Sequence, residues 1–470
     1  MSASRKFYGQ FPERELRLRA DSDQPINIVG AGLAGALLGV TLMRHGCGAI
    51  RLWDRRPDPR RTRMERGRSI NLALAARGIR ALAHAGVMEK VRPLMIPMRG
   101  RMIHERSGAT ALQPYGQRDD EIIYSVSRGE LNRVLIEEAA RHQDVTIRFN
   151  QTCLAADPTQ NVLRFRNEVS GAQYSVELTP TIATDGAGSA VRGSLAATNL
   201  LSVREDWLDH DYKELTIPPV DGQPALDPNA LHIWPRGGFM LIALPNTDHS
   251  FTATLFLARQ GPRSFAALSN SQAVLEFFLE EFPDTVPLIP GLTAEFQSHP
   301  AGQLGTVHAA PWRVGGQILL LGDAAHAIVP FHGQGMNAAF EDCVVLDSML
   351  DRADNWQSLF AEFERIRRPN TEAIARMALE NYTEMRDTVL DPGFVRRKSL
   401  SLELERRFPN RFIPRYAMVM FHPQIPYAEA LRRGELQSQI LLDLDRADGN
   451  TDFSLAEKLV NERLPALARA

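Results

Sequence analysis

Three acids in this chain each stand where an apolar run stops. Asp54 closes Ile50-Arg51-Leu52-Trp53, Asp185 follows Ile182-Ala183-Thr184, and Asp323 follows Leu319-Leu320-Leu321-Gly322. A carboxylate at the end of a buried strand can accept hydrogen bonds from a polyol. A glycine beside it, Gly186 or Gly322, lets the polyol approach the backbone. Asp54 lies about 20 residues beyond the turn Gly30-Ala31-Gly32-Leu33-Ala34-Gly35, the spacing that sets an acid against the ribose of a dinucleotide. The glycines would supply a tight turn, close backbone approach to a pyrophosphate and close packing of helix on strand. The helix that follows presents its positive end to the phosphates. Arg55 and Arg56 come next and read equally as nucleotide contacts or as a solvated pair. Pro330-Phe331-His332-Gly333-Gln334-Gly335 then opens a second helix, and the free N–H groups of a helix start suit an anion.

Other side chains could recognise a small acid. Arg99 and Arg101 alternate along one predicted strand, and a guanidinium offers a carboxylate two parallel donors where a lysine offers one point charge. Pattern alone does not choose between them, and a surface charge is the plain alternative for each. Asn381 shares a helical face with Ile374, Met377, Ala378, Met385 and Val389. A buried amide left unpaired costs about 1–3 kcal/mol, so it must bond to backbone or to a ligand. His326 reads as structural. His332, after Phe331 in the same loop, reads either as a loop histidine bonded to backbone or as a catalytic group, and no base or nucleophile stands out. Cys47, Cys153 and Cys343 are far apart and show no metal spacing.

The elements that must position these residues are legible in outline. Residues 26–44 read as strand, glycine turn and helix. The runs Phe239–Asn246 and Phe251–Ala258 flank a turn cluster and predict an antiparallel pair, joined by strands near 99–115 and 210–217. From about residue 376 the chain reads as helical. The 470 residues are 44% hydrophobic and 23% charged with a net charge of −2, so no basic field points to nucleic acid. No apolar run approaches bilayer length, and the polar first 25 residues contain no signal core. A flexible extension over 1–25, a reduced cytoplasmic setting and no membrane anchor are the expectations.

The three glycine–acid motifs, in this order, resemble those of the single-component FAD-dependent aromatic hydroxylases. Within them, GRSINLALAARG (67–78), RGRMIH (99–104), LQPYG (112–116), YKELTIPP (212–219), LHIWPRGGFMLIALPN (231–246), VPFHGQGMN (329–337), ALENYTEM (378–385) and RFIPRYAMVMF (411–421) resemble the kynurenine 3-monooxygenase family. The resemblance implies an α/β fold like that of p-hydroxybenzoate hydroxylase. A Rossmann-type FAD-binding domain (26–100, 116–200 and 305–375) would carry an inserted antiparallel-sheet substrate domain (101–115 and 201–304) and a helical C-terminal region (376–470). It implies bound FAD, NADPH as a transient co-substrate, O2, and L-kynurenine hydroxylated at ring position 3 by oxygen activated at the flavin C4a. The cofactor would be held by Gly30, Gly32, Leu33, Ala34, Gly35, Asp54, Arg55, Arg128, Asp185, Gly186, Gly322, Asp323, Pro330, Gly333, Gln334, Gly335, Met336 and Asn337. Asp323 would hold the ribityl chain, and the helix after Gly335 would face the flavin N1 edge. The substrate carboxylate would meet Arg101, Tyr115 and Tyr416. Around the ring stand Leu231, Met240, Ile242, Phe256, Phe331, His332, Asn381, Glu384 and Met385. No metal is implied, and the expected assembly is a monomer or homodimer. Thr184 stands where the family pattern has a smaller residue. A hydroxylase of another amino- or hydroxy-aromatic acid, or a flavin reductase, would share the glycine motifs.

Overall fold

The computed structural model describes residues 24–61, 71–388, 391–445 and 451–467. The expected extension over 1–25 lies, up to residue 23, outside the described residues, as does the start of the 67–78 stretch. Four short apolar strands build a parallel sheet in the order Ile318–Leu320, Thr181–Ala183, Ile26–Val29, Ile50–Trp53, with Val145–Arg148 beyond and Arg313–Val314 closing the other edge antiparallel. Ile28, Leu52, Ile182 and Leu319 are fully buried because helices cover both faces. The first of these, Leu33–His45, buries Leu37, Leu38 and Leu42 and stops at Gly46 in the left-handed region at φ 86°.

A seven-stranded sheet forms the second layer: Gly302–Ala310, Ser202–Ile217, Phe251–Ala258, Met240–Pro245, Ala230–Pro235, Gly100–His104 and Thr110–Pro114. It is antiparallel except where Ala230–Pro235 runs parallel to Gly100–His104. The sheet is antiparallel as expected, and that junction is its one parallel strand pairing among the described residues. The reason is topological: Gly100–His104 arrives from the earlier FAD-domain segment and enters the sheet in the same direction as its later neighbour. Ser202–Ile217 is one 16-residue strand, longer than the 210–217 run expected, and its first half pairs with Gly302–Ala310. The latter strand spans residue 305, where the sequence boundary between the domains was drawn.

Helix Trp356–Thr383 crosses the boundary drawn at 375–376. It begins with a reciprocal cap between Asn355 and Ser358 and runs 28 residues, about 42 Å at 1.5 Å per residue. A π-turn, Glu384–Thr388, ends it. Helices Pro392–Arg407, Arg415–Phe421, Tyr427–Leu444 and Phe453–Arg463 follow. No helix among the described residues is long and apolar enough to cross a membrane.

Candidate active site

The motif-bearing loops leave one edge of the parallel sheet, because each follows one of four adjacent strands at its carboxyl end. This is where open α/β sheets bind ligands. Gly30 has φ +100°, and a Cβ there would stand 2.5 Å from the Thr184 carbonyl oxygen. A Cβ on Gly35 would stand 1.9 Å from the Gly30 carbonyl oxygen. A Cβ on Gly186 or Gly188 would meet nothing within 4 Å. The glycine turn is thus pressed against its neighbour on one side while the space before the loops is open, which fits a bound dinucleotide. Thr184 uses its extra bulk: its hydroxyl donates to the carbonyls of Val29 at 3.1 Å and Gly30 at 2.7 Å.

Asp54 is buried, accepts from the Ala31 N–H at 2.9 Å, and is gripped by Arg56 through Nε at 3.0 Å and a terminal nitrogen at 2.9 Å. Arg56 is therefore the arginine at the acid; it is exposed, as are Arg55 and Arg128. Asp185 accepts from the Ser189 hydroxyl at 2.6 Å and the Val191 N–H at 3.3 Å. Burial pushes its carboxyl up. Asp323 is exposed at the front of the cradle. Behind it, the Gly322 N–H donates to Asp342 at 3.2 Å, and Asp342 also holds His326 at 2.7 Å and Arg367 at 2.6 Å. Burial opposes the Asp342 charge, but His326 and Arg367 outweigh it and hold the carboxyl below its usual range.

Helix Gly335–Met349 begins after Gly333 in the left-handed region (φ 63°) and carries no side-chain cap. The N–H groups of Gly335, Met336 and Asn337 have no acceptor within the helix, as a flavin-facing helix end requires. Two side chains expected at the cofactor are occupied elsewhere. The Asn337 amide accepts from Ala75 and Gly78 and donates to Ala73 and Gly333. The Gln334 amide accepts from the Tyr427 hydroxyl at 2.7 Å and donates to Met420 Sδ at 3.0 Å. Any cofactor contact from these two falls to their backbone.

The structure separates the two arginines that pattern could not. Arg99 is exposed, whereas Arg101 is 6% exposed. The Arg101 guanidinium lies 4.9 Å from the Tyr416 ring centre, 5.9 Å from that of Tyr115, and 3.7 Å from the Glu384 carboxylate. Burial works against its charge, yet Tyr416, Glu384 and Tyr115 outweigh that, and its pKa is raised. The Tyr115 hydroxyl is buried without a hydrogen-bond partner. Tyr115 stacks on Tyr416 at 5.7 Å, and Tyr416 stacks on His332 at 5.3 Å. His332 Nδ1 is likewise buried and unpartnered, and burial, with repulsion from Arg101 and Arg415, pushes the imidazole down to about 3.

Met240, Phe256, Phe331 and Met385 belong to one apolar cluster, with Leu231 and Ile242 packed against it. The Asn381 amide donates to the Phe331 carbonyl at 2.6 Å and to Met385 Sδ at 3.3 Å. It bonds backbone, the first of its two alternatives, and so fixes the Pro330–His332 turn to the long helix. Sequence reasoning missed Tyr382, which stacks on Phe331 at 3.8 Å. It also missed Asp342 with Arg367, whose one signal was an acid in an otherwise small and apolar helix face, and Lys398, which bonds Gln113 opposite Arg101.

Comparison with known proteins agrees with this geometry. The family described as "FAD binding domain" matches residues 23–378. A kynurenine 3-monooxygenase of Stenotrophomonas maltophilia (strain K279a) is 47% identical over 456 residues, covering 96% of this chain and 99% of the relative. The chain belongs to the kynurenine 3-monooxygenase family. A second member, from Myxococcus xanthus (strain DK1622), is 45% identical over 93% of this chain and 95% of its own length. The fold is that of the flavin monooxygenases. The tetrameric form of 2-methyl-3-hydroxypyridine-5-carboxylic acid oxygenase superposes with a TM-score of 0.64 at 19% identity, over 78% of this chain and 94% of that one. Tetracycline destructase Tet(51) superposes at 0.59 and 18% identity, over 81% and 96%. In kynurenine 3-monooxygenase family terms, the Rossmann-type domain, the inserted sheet and the helical C-terminal region are all present.

Proposed function

We propose that the chain is an NADPH-dependent FAD monooxygenase that hydroxylates L-kynurenine at ring position 3, working in the cytoplasm as a monomer or homodimer. The observation that carries the reading is the buried Arg101 set against two tyrosines, beside an apolar wall that runs into the loop before the uncapped helix. A flavin reductase would need the glycine motifs but no such clamp.

Gly30–Gly35, Asp54 and Asp323 would hold FAD, which would supply oxygen activation after reduction by NADPH. The N–H groups of Gly335, Met336 and Asn337, uncapped at the helix start, would face the flavin edge and favour negative charge there. Arg101 takes the substrate carboxylate in a two-pronged pair, Tyr115 and Tyr416 add hydroxyl donors, and Glu384 is placed for the α-ammonium. Met240, Phe256, Phe331 and Met385 hold the ring and exclude water. The ring amine already enriches the neighbouring carbon with electrons, so the protein need not remove a proton to activate it. Neutral His332 offers Nδ1 to the polar edge of the substrate. Catalysis is then mainly positioning, for which effective molarities correspond to about 7–11 kcal/mol in ideal geometry. The test is product mass after mixing the purified yellow protein with NADPH, air and L-kynurenine. A gain of one oxygen on the ring is expected; NADPH consumption with unchanged kynurenine overturns the assignment.

A further inference from the structure

The amino-acid end of the site holds more positive charge than Arg101 alone supplies. Helix Pro392–Arg407 carries three consecutive cations, and they point to different places. Arg396 and Arg397 reach Asp445 at 3.3 and 2.9 Å. Lys398 turns inward and donates to the Gln113 side-chain carbonyl at 3.1 Å. Gln113 is the residue directly opposite Arg101 in the pairing of Gly100–His104 with Thr110–Pro114. Opposed residues in an antiparallel pair project from the same face, so Lys398 approaches the face of the sheet from which Arg101 projects. The Lys398 ammonium feels both Arg101 and Glu384.

Among the described residues, two cations and one carboxylate therefore share this end of the pocket, and the lysine's hydrogen bond goes to a neutral amide. A partly buried ammonium without a counter-ion is unfavourable. Burial first, and then repulsion from Arg101, pushes Lys398 down to about 8, against the pull of Glu384. Among the described residues the cations outnumber the carboxylate by one, and the substrate brings an anion. We propose that Lys398 is a second cation of the substrate clamp, exchanging its bond to Gln113 for the α-carboxylate and drawing helix Pro392–Arg407 toward Arg101. Lys398 is thus a specificity-determining residue for α-amino acids over the corresponding amines. This rests on the kynurenine reading above.

The sign of the pH dependence follows. An anion placed beside Lys398 raises its pKa in the complex above that of the free enzyme. Binding is then strongest where the free lysine is protonated, and it weakens as pH rises above about 8. Of the other groups facing Lys398, Arg101, Tyr115 and Tyr416 are all raised above their ordinary values, out of that window, and Glu384 is the acid beside them. The substrate ammonium does titrate there, and comparison of variants removes its contribution.

The experiment uses the FAD-loaded full chain and steady-state kynurenine hydroxylation from pH 6.5 to 9.5. Lys398→Met, which keeps the aliphatic stem, is expected to raise KM about tenfold at pH 7, with the loss falling on KM rather than kcat. Lys398→Arg is expected to restore KM to within about threefold and to remove the part of the alkaline rise that the wild type shows beyond the substrate's own titration. The kcat/KM preference for kynurenine over its decarboxylated amine should fall about tenfold in Lys398→Met. Superimposed pH profiles of wild type and Lys398→Arg would overturn the proposal, and so would an unchanged preference in Lys398→Met. If Lys398→Met does not fold with FAD, the Lys398→Arg profile decides alone. Wild-type turnover of kynurenine is measured first, so failure of the functional reading is seen separately.

Discussion

A guanidinium that is 6% exposed and held by aromatic rings and one carboxylate at 3.7 Å is a costly thing to bury. At the residue scale, the proposed substrate carboxylate would justify it. Arg101→Ala leaves Glu384 and an incoming carboxylate in the same pocket with no guanidinium between them. The expected loss in kcat/KM is about 2–5 kcal/mol, the range for truncating one partner of a buried charge pair. It should fall on KM, and an unchanged KM in steady-state assays would remove Arg101 from the clamp. Arg101→Lys should rescue little, because one ammonium cannot reproduce a two-pronged contact.

At the element scale, the loop Pro330–Gly335 would join cofactor to substrate in the proposed site, and the C-terminal helices hold it. Helix Arg415–Phe421 contributes Tyr416, which stacks on His332, and Met420, which receives Gln334. Tyr427→Phe leaves the buried Gln334 carbonyl without its donor, at about 1–3 kcal/mol, and loosens the loop that sets the flavin-facing helix end. The expected result is a smaller stimulation of NADPH oxidation by kynurenine, measured as the ratio of rates with and without substrate. Equal ratios in variant and wild type would sever the loop from the tail. Asp342→Asn breaks a buried pair with Arg367 and His326 and loosens Gly322, so a loss of about 3–5 kcal/mol is expected. Urea unfolding and FAD retention after gel filtration would read it.

Which of these features the sequence displayed follows from distance along the chain. Gly30, Gly35 and Gly322 are local demands of a turn, and an acid at a strand end is a local pattern, so the cradle was legible. Arg101 over Arg99 was not legible from alternation alone, because burial depends on which strand lies alongside, and Ala230–Pro235 is remote in sequence. Gln334 and Asn337 sit in a recognisable motif, yet their side chains serve Tyr427 and the Ala73–Gly78 turn. A motif marks where the backbone must go, and it does not say which atoms of the residue do the work. Lys398–Gln113 and Asp342–Arg367 join different elements, and no spacing rule announces such pairs.

At the scale of the whole molecule, acid is the expected weakness. Burial pushes His232 down to about 4 and His332 to about 3, and also lowers His422. In the unfolded chain these histidines protonate near 6.5, so the stability they contribute is present above that pH and declines as pH falls toward the folded values. His45, raised chiefly by its hydrogen bond to Asp347, works in the opposite sense but is outnumbered. Unfolding free energy from urea titrations should fall by at least about 1.4 kcal/mol per pH unit between pH 6.5 and 5. A flat profile would contradict the buried neutral state of these rings.

The parallel junction between Gly100–His104 and Ala230–Pro235 has a consequence for biosynthesis. The ribosome releases the earlier strand long before its neighbour exists, so on a nascent chain it has only Thr110–Pro114 beside it and one side bare. A charge on the inward face of a bare strand discourages pairing with another growing copy. Arg101 sits on that strand, between Gly100 and Met102, as such a charge.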